Sequence, residues 1–215
     1  KGSGITRYSR SGDGKLTLKG GIREVLCSSY LDALGLDTCQ SLSLIETGED
    51  LYRNDEPSPT RSCVLVRVAH SHIRIGSFQY HAYHQDNDSL ESLMKSVGKY
   101  YFFFNDIENT PLNFFSKIVQ NCASLAASYN IFGFVHGVLN TDNINVTGES
   151  FDYGPYRMME KYNPEKIAAY FDNSGLYKFS KQADAIFWNL QQLASIMTLF
   201  LDESLIIAEL KKFLD

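Results

Sequence analysis

The sequence predicts an α+β fold in two lobes, a partial strand-rich lobe over residues 1–69 and a mainly helical lobe over 70–215. Three observations predict it. The run 63–68 is dense in β-branched residues and is the best strand in the chain. Residues 41–46 alternate Leu42 and Leu44 with Ser41 and Ser43, as a half-buried strand does. Beyond Ala69 the apolar spacing becomes helical, and a polar loop within 136–154 interrupts it.

The elements follow in order. Residues 1–14, rich in Gly, Ser and Arg, read as a strand end and then a turn at Ser11-Gly12-Asp13-Gly14. Ile22, Val25, Leu26, Ala33 and Leu34 keep a helical period over 22–34, and Gly35 is its natural stop. Residues 51–62 hold Pro57 and Pro59 and read as an exposed loop. Helices are predicted over 89–101, 112–129, 164–171 and 183–200, with a small strand around 144–147 and a helical segment at 201–214. The aromatic runs 100–104 and Phe114-Phe115 are assigned to the core, and Trp188 and Asn189 to a packed helix.

Bulk properties narrow the function. At 215 residues the chain buries one good core or forms two lobes around a cleft. A hydrophobic share of 44% and a charged share of 21% are ordinary for a globular protein. The net charge of -5 argues against a broad nucleic-acid footprint, and no apolar run is long enough to span a bilayer. Cys27, Cys39, Cys63 and Cys122 are scattered without a C-x-x-C, which favours reduced thiols over a disulfide framework or zinc site. The chain starts at Lys1 within a glycine-rich stretch and stops within a helical pattern, so an internal fragment of a longer protein is expected.

The chemistry concentrates in His136-Gly137-Val138-Leu139-Asn140-Thr141-Asp142-Asn143, followed by Asp152-Tyr153-Gly154. Protein kinases place a base Asp two residues after such a His, a metal-binding Asn seven after it, and a metal-binding D-F-G Asp downstream. Here the His-to-Asn spacing is kept and Asp152 stands in the D-F-G position. Val138 occupies the base position, and a valine accepts no proton. Asp142 is the nearest carboxylate left in the loop. Asp142, Asn143 and Asp152 together offer hard oxygen donors suited to a divalent cation; the competing reading is a polar turn before a strand. Strands with one helix, then a helical body around an active loop, is the order of a protein-kinase-like two-lobed fold.

Other residues fit that frame. Lys1 and Glu24 match the strand lysine that reaches nucleotide phosphates and the helix glutamate that orients it. Arg67 ends an apolar strand, where an unpaired charge is costly, so a partner is implied: phosphate, or a carboxylate in a structural ion pair. Arg74 follows at the strand-to-helix transition. His70, His72, His81 and His84 cluster in sequence, but without cysteines or H-E-x-x-H they are a weak zinc signal.

With these residues assembled, the chain resembles the selenoprotein O (YdiU) family of protein adenylyltransferase pseudokinases. The resemblance is carried by Lys1-Gly2-Ser3-Gly4, Tyr8-Ser9-Arg10, Gly12-Asp13-Gly14, Ile22-Arg23-Glu24, Arg67-Val68-Ala69, Ile73-Arg74-Ile75-Gly76-Ser77-Phe78, the 133–143 loop, Asp152-Tyr153-Gly154-Pro155 and Trp188-Asn189-Leu190. It implies a kinase-like fold in which ATP lies reversed, so that AMP passes to a Ser, Thr or Tyr hydroxyl of a protein and pyrophosphate leaves. It implies that Lys1, Asp13, Gly14, Arg67, Arg74 and Asp152 bind the nucleotide and that Glu24 orients Lys1. Asn143 and Asp152 would hold Mg2+, or Mn2+, and Asp142 would accept the proton. The partners implied are ATP and protein substrates, with no nucleic acid and no membrane; the location implied is the bacterial cytoplasm or the eukaryotic mitochondrion. The chain departs from the family at Thr6-Arg7-Tyr8 and Lys19-Gly20-Gly21, where members commonly have Thr-Pro-Tyr and Arg-Ser-Ser. UMP transfer from UTP with manganese, and a silent nucleotide-binding scaffold, remain alternatives.

Overall fold

A computed structural model describes residues 1–7, 9 and 12–214. Ser11 of the expected turn, and Tyr8 and Arg10 of the Tyr8-Ser9-Arg10 block, lie outside the described residues. The chain is α+β and divides into two compact units, residues 1–69 with 152–154, and residues 70–151 with 155–215.

The first unit is a three-stranded antiparallel sheet with one helix. Strand β1 (Leu16–Thr17) leads directly into α1 (Leu18–Ala33), and β2 (Gln40–Leu51) and β3 (Thr60–Val68) follow, in the order β1-β3-β2. Thr17 starts α1 by accepting the Gly20 N–H on its hydroxyl at 3.1 Å. Gly35, with φ +83°, takes the left-handed position past the helix end, as expected of it. The helix lies close on the sheet at Gly21, where a Cβ would come within 2.5 Å of Cys63 Sγ and 2.6 Å of Leu44 Cδ1. The pairing Leu44↔Leu65 and Leu16↔Cys63 turns these residues to the helix side. Lys1 extends the pairing on β3: its backbone N donates to Leu65 O at 2.7 Å, and Leu65 N donates back to Lys1 O at 2.8 Å.

The second unit is built on helices α2 (Ile75–Tyr83), α3 (Asn87–Tyr100), α4 (Pro111–Ile131), α5 (Gln182–Met197) and α6 (Glu203–Lys211), with a small hairpin of β4 (Phe134–His136) and β5 (Tyr156–Met158). Phe114, Ile118, Cys122 and Leu125 recur at helical spacing along the buried face of α4. Ile186, Leu190, Leu193 and Met197 do the same on α5, which packs against it. Pro111 opens α4 behind the Thr110 cap. No helix among the described residues is long and apolar enough to cross a membrane.

Several expectations are corrected. Residues 164–171 are irregular rather than helical. Asn163 Oδ1 captures the Glu165 N–H, and the Pro164 and Lys166 carbonyls, which would open a helical ladder, accept instead the amides of Ser180 and Phe179. Around 144–147 there is a single bridge, Asn145 to Arg74, followed by a turn closed by Gly148 N donating to Asn145 O. Of the 100–104 run, Tyr100 and Phe103 are exposed; Trp188 is exposed too, while Phe114, Phe115 and Asn189 are buried.

The fully buried Gln182 ties α5 to β4. Its Oε1 accepts the His136 N–H and its Nε2 donates to Phe134 O, both at 2.8 Å. We expect Gln182→Ala to orphan both groups and destabilise the protein by roughly 1–3 kcal/mol for each. Urea unfolding of the two proteins checks this; an unchanged midpoint would refute the anchoring role.

Candidate functional site

In the first unit four of the residues singled out from the sequence meet. The Lys1 ammonium donates to both the Glu24 and Asp152 carboxylates. Arg67 Nη1 stands 3.4 Å from Asp152 Oδ1 and 3.7 Å from Glu24 Oε2. The Glu24 side chain is 3% exposed, whereas that of Lys1 keeps 27%. Arg67 thus meets carboxylates from both the helix and Asp152. Burial pulls the Lys1 ammonium down, but Asp152 and Glu24 outweigh it and the net shift is upward from 10.5.

Asp152 holds this position in an unusual conformation, with φ at +67°. A non-glycine residue there is strained and persists only where its surroundings over-determine it. The next residue supplies one such tie: the buried Tyr153 hydroxyl pairs with Thr38 Oγ1. Asp13 is engaged elsewhere. Its carboxylate accepts the Lys15 N–H at 3.0 Å and pairs with Arg53 at 2.9 Å, and these contacts hold its pKa below the usual value. Gly14, at φ +66°, lets its backbone cross Gly4, whose amide donates to Gly14 O at 3.1 Å; a Cβ would run into the Gly4 carbonyl.

In the second unit the loop after β4 is held by its own polar groups. His136 is fully buried. Its Nδ1 accepts the Val138 N–H at 3.2 Å, so the ring proton sits on Nε2 and donates to Phe151 O at 3.0 Å. Gly137 donates to Pro155 O at 2.7 Å, a close approach that a Cβ would block. Asn189 Nδ2 donates to Leu139 O at 2.8 Å. Asn140 Oδ1 accepts the Asp142 N–H at 3.1 Å and starts the short 3-10 turn Thr141–Asn143.

Asn143 spends its amide nitrogen on Val138 O at 3.0 Å, so the other end of the group is the oxygen, the atom a hard cation takes. Asp142 is half-buried, and Arg74 Nη1 donates to its backbone carbonyl at 3.1 Å. The Asn143 amide oxygen and, in the first unit, the Asp152 carboxylate are each hard donors of the kind Mg2+ or Mn2+ takes, and suit a softer metal poorly.

The structure thus groups Lys1, Glu24, Arg67 and Asp152, and separately joins Arg74, Asp142 and Asn143 through one loop. Gln182 and Gly137 escaped sequence reasoning: a Gln in a helix and a Gly beside a His carry no signal of their own. Of the histidines, His81 pairs with Asp86 and His70 with Glu149, at 3.5 Å and 3.3 Å.

The family described as protein adenylyltransferase SelO matches residues 1–215, and the chain belongs to it. The chain is 48% identical over 197 residues to the protein nucleotidyltransferase YdiU of Synechocystis sp., covering 90% of this chain and 41% of that protein. It is 47% identical over 224 residues to the protein of the same name from Trichodesmium erythraeum, covering 100% of this chain and 47% of the relative. With that of Azotobacter vinelandii it shares 36% identity over 215 residues, covering 100% of this chain and 44% of the relative. The chain spans less than half the length of these curated relatives.

Removing Lys1 leaves the buried Glu24 only the more distant Arg67, 3.7 Å away. We expect Lys1→Met to cost about 3 kcal/mol, the scale of a broken buried pair, and Lys1→Met/Glu24→Gln to recover part of it. The Lys1 pKa is raised, so its contribution is complete below 10.5 and fades only as pH climbs through the higher folded value. The stability gap between wild type and Lys1→Met should therefore stay constant from about pH 7 to about pH 9. Chemical unfolding across that range checks it; a gap that closes by pH 9 would contradict the assignment.

Proposed function

We propose that the protein transfers AMP from ATP to Ser, Thr or Tyr hydroxyls of other proteins, releasing pyrophosphate. It would do so on a protein-kinase-like frame, with residues 1–69 the remainder of the small lobe and 70–215 the large one. The observation that carries this reading is the cluster of Lys1, Arg67, Glu24 and the strained Asp152. Membership of the adenylyltransferase family and the nucleotidyltransferase names of the relatives support the same class.

Each residue then has a role. Lys1 and Arg67, with Arg74, supply positive charge for the phosphate chain, and Glu24 holds Lys1 in place. Asp13 and Gly14, also expected at the nucleotide, sit at the hairpin crossing with Gly4. A divalent cation held by Asn143 and Asp152 would neutralise charge developing on the phosphates. Asp142 accepts the proton of the acceptor hydroxyl as that oxygen bonds to the α-phosphorus, and the bond to the pyrophosphate oxygen breaks. Val138 supports this assignment because it leaves no carboxylate at the kinase base position.

The reading is tested with full-length protein and ATP labelled at the α- or the γ-phosphate. Label on protein from the α position is expected; label from the γ position alone means an ordinary kinase. Faster transfer from UTP with Mn2+ would favour the uridylyl alternative, and nucleotide binding without any transfer the scaffold.

The roles separate by variant. Asp142→Ala should lose ~10²–10⁴-fold in rate while keeping metal-dependent nucleotide binding, with partial rescue at high pH as the acceptor hydroxyl ionises. Asp152→Ala removes a formal charge and should lose binding along with turnover, and Asn143→Ala should do so more mildly. Titration of nucleotide with and without Mg2+ beside a transfer assay reads both quantities. The reverse pattern would overturn the assignments.

A further inference from the structure

The start of α2 carries a glycine that its backbone does not require. Gly76 is the second residue of the helix and does not have a left-handed φ, so a side chain there meets no conformational penalty. Alanine is the better helix former. What the position lacks is room. A Cβ on Gly76 would lie 2.3 Å from Asp142 Oδ1, 3.4 Å from Asp142 Cγ and 3.4 Å from Thr141 O. The carboxylate of Asp142 occupies the notch where a side chain would be.

The backbone on both sides of the notch is pinned. Ile75 N donates to Ile144 O, and Val146 N donates to Ile73 O, each at 3.1 Å. Asp142 itself is tied at its N–H by Asn140 and at its carbonyl by Arg74, and Asn143 N donates to Asn140 O at 2.9 Å. When a methyl enters, the movable group is the carboxylate, which swings away by rotation of its own side chain.

We propose that Gly76 is a positioning residue for Asp142: its missing side chain sets the direction in which the carboxylate points. The proposal rests on the reading of Asp142 as proton acceptor.

The test is Gly76→Ala in the full-length protein. A misplacement of about 1 Å in a catalytic group costs up to about 10²-fold, so kcat should fall roughly 10–100-fold. Nucleotide affinity in the presence of Mg2+ should stay within about twofold, since Arg74 and the helix start are unmoved. In an Asp142→Ala background the same substitution should cost nothing further, because no carboxylate remains to be displaced. Wild-type kcat in Gly76→Ala, with Asp142→Ala inactive, overturns this proposal and leaves the Asp142 reading standing. An equal additional loss in the double variant also overturns it, as does nucleotide affinity falling in step with kcat. Full activity of Asp142→Ala overturns both. If Gly76→Ala fails to fold, the melting temperature of Gly76→Ala/Asp142→Ala decides. Recovery in that variant supports the notch, and failure of it to fold counts against it.

Discussion

The carboxylate of Glu24 is buried on the sheet-facing side of α1, beside Gly21, Cys27, Ser28 and Leu31. A charge taken that far from water is costly unless cations and hydrogen bonds meet it. The sheet register meets this demand. Lys1 pairs with Leu65 through reciprocal backbone bonds, and Arg67 lies two residues further along the same strand, so both cations come from neighbouring strand positions. Asp152 then balances the second positive charge. The left-handed φ of Asp152 is the conformational cost of bringing it there. Close approach of α1 to β3 at Gly21 is what puts Glu24 within reach of these partners.

The loop after β4 solves a different problem, how to keep irregular chain rigid without a ladder. It does so by pairing backbone groups with buried side chains. Gln182 satisfies both Phe134 and His136, Asn189 satisfies Leu139, and His136 uses its two ring nitrogens on Val138 and Phe151. Each of these amides or rings sits in a core whose apolar walls come from α4 and α5. Buried polar groups satisfied in this way define one geometry rather than several.

Much of this was legible in the sequence, for reasons that differ by element. The helices at 112–129 and 183–200 declare themselves because their apolar period runs over four turns or more, and the structure extends them to Pro111–Ile131 and places the other at Gln182–Met197. The strand 63–68 was legible from its β-branched residues. Helix α2 was not, because Ile75–Tyr83 is short and mixes Gly, Ser, Gln and His among its apolar residues. The helix expected at 164–171 is absent where partners at 179 and 180 take the Pro164 and Lys166 carbonyls, which no local pattern encodes. Of the site residues, Lys1, Glu24, Arg67 and Asp152 lie together, while Asp13 pairs with Arg53. A polar residue in a turn has several neighbours to choose from, and spacing alone does not choose.

Val138 shows how the loop divides its labour. Its N–H donates to His136 Nδ1 and its carbonyl accepts from Asn143 Nδ2, so the residue links the buried histidine to the metal-type asparagine through main chain alone. A side chain at this position adds nothing to that link, and valine has no group to contribute to proton transfer. Gly137 before it is fixed by its approach to Pro155, which leaves no volume for a longer residue. The scaffold half of the loop is thereby committed to geometry. Its ionisable half begins at Asn140, whose side chain starts the 3-10 turn that carries Asp142 and Asn143 on adjacent positions. Asp142 and Asn143 are then set by one turn whose orientation Arg74 secures from outside, at the Asp142 carbonyl. In the proposed reading the distance from base to metal is fixed by covalent adjacency, and the buried histidine serves only to hold the frame.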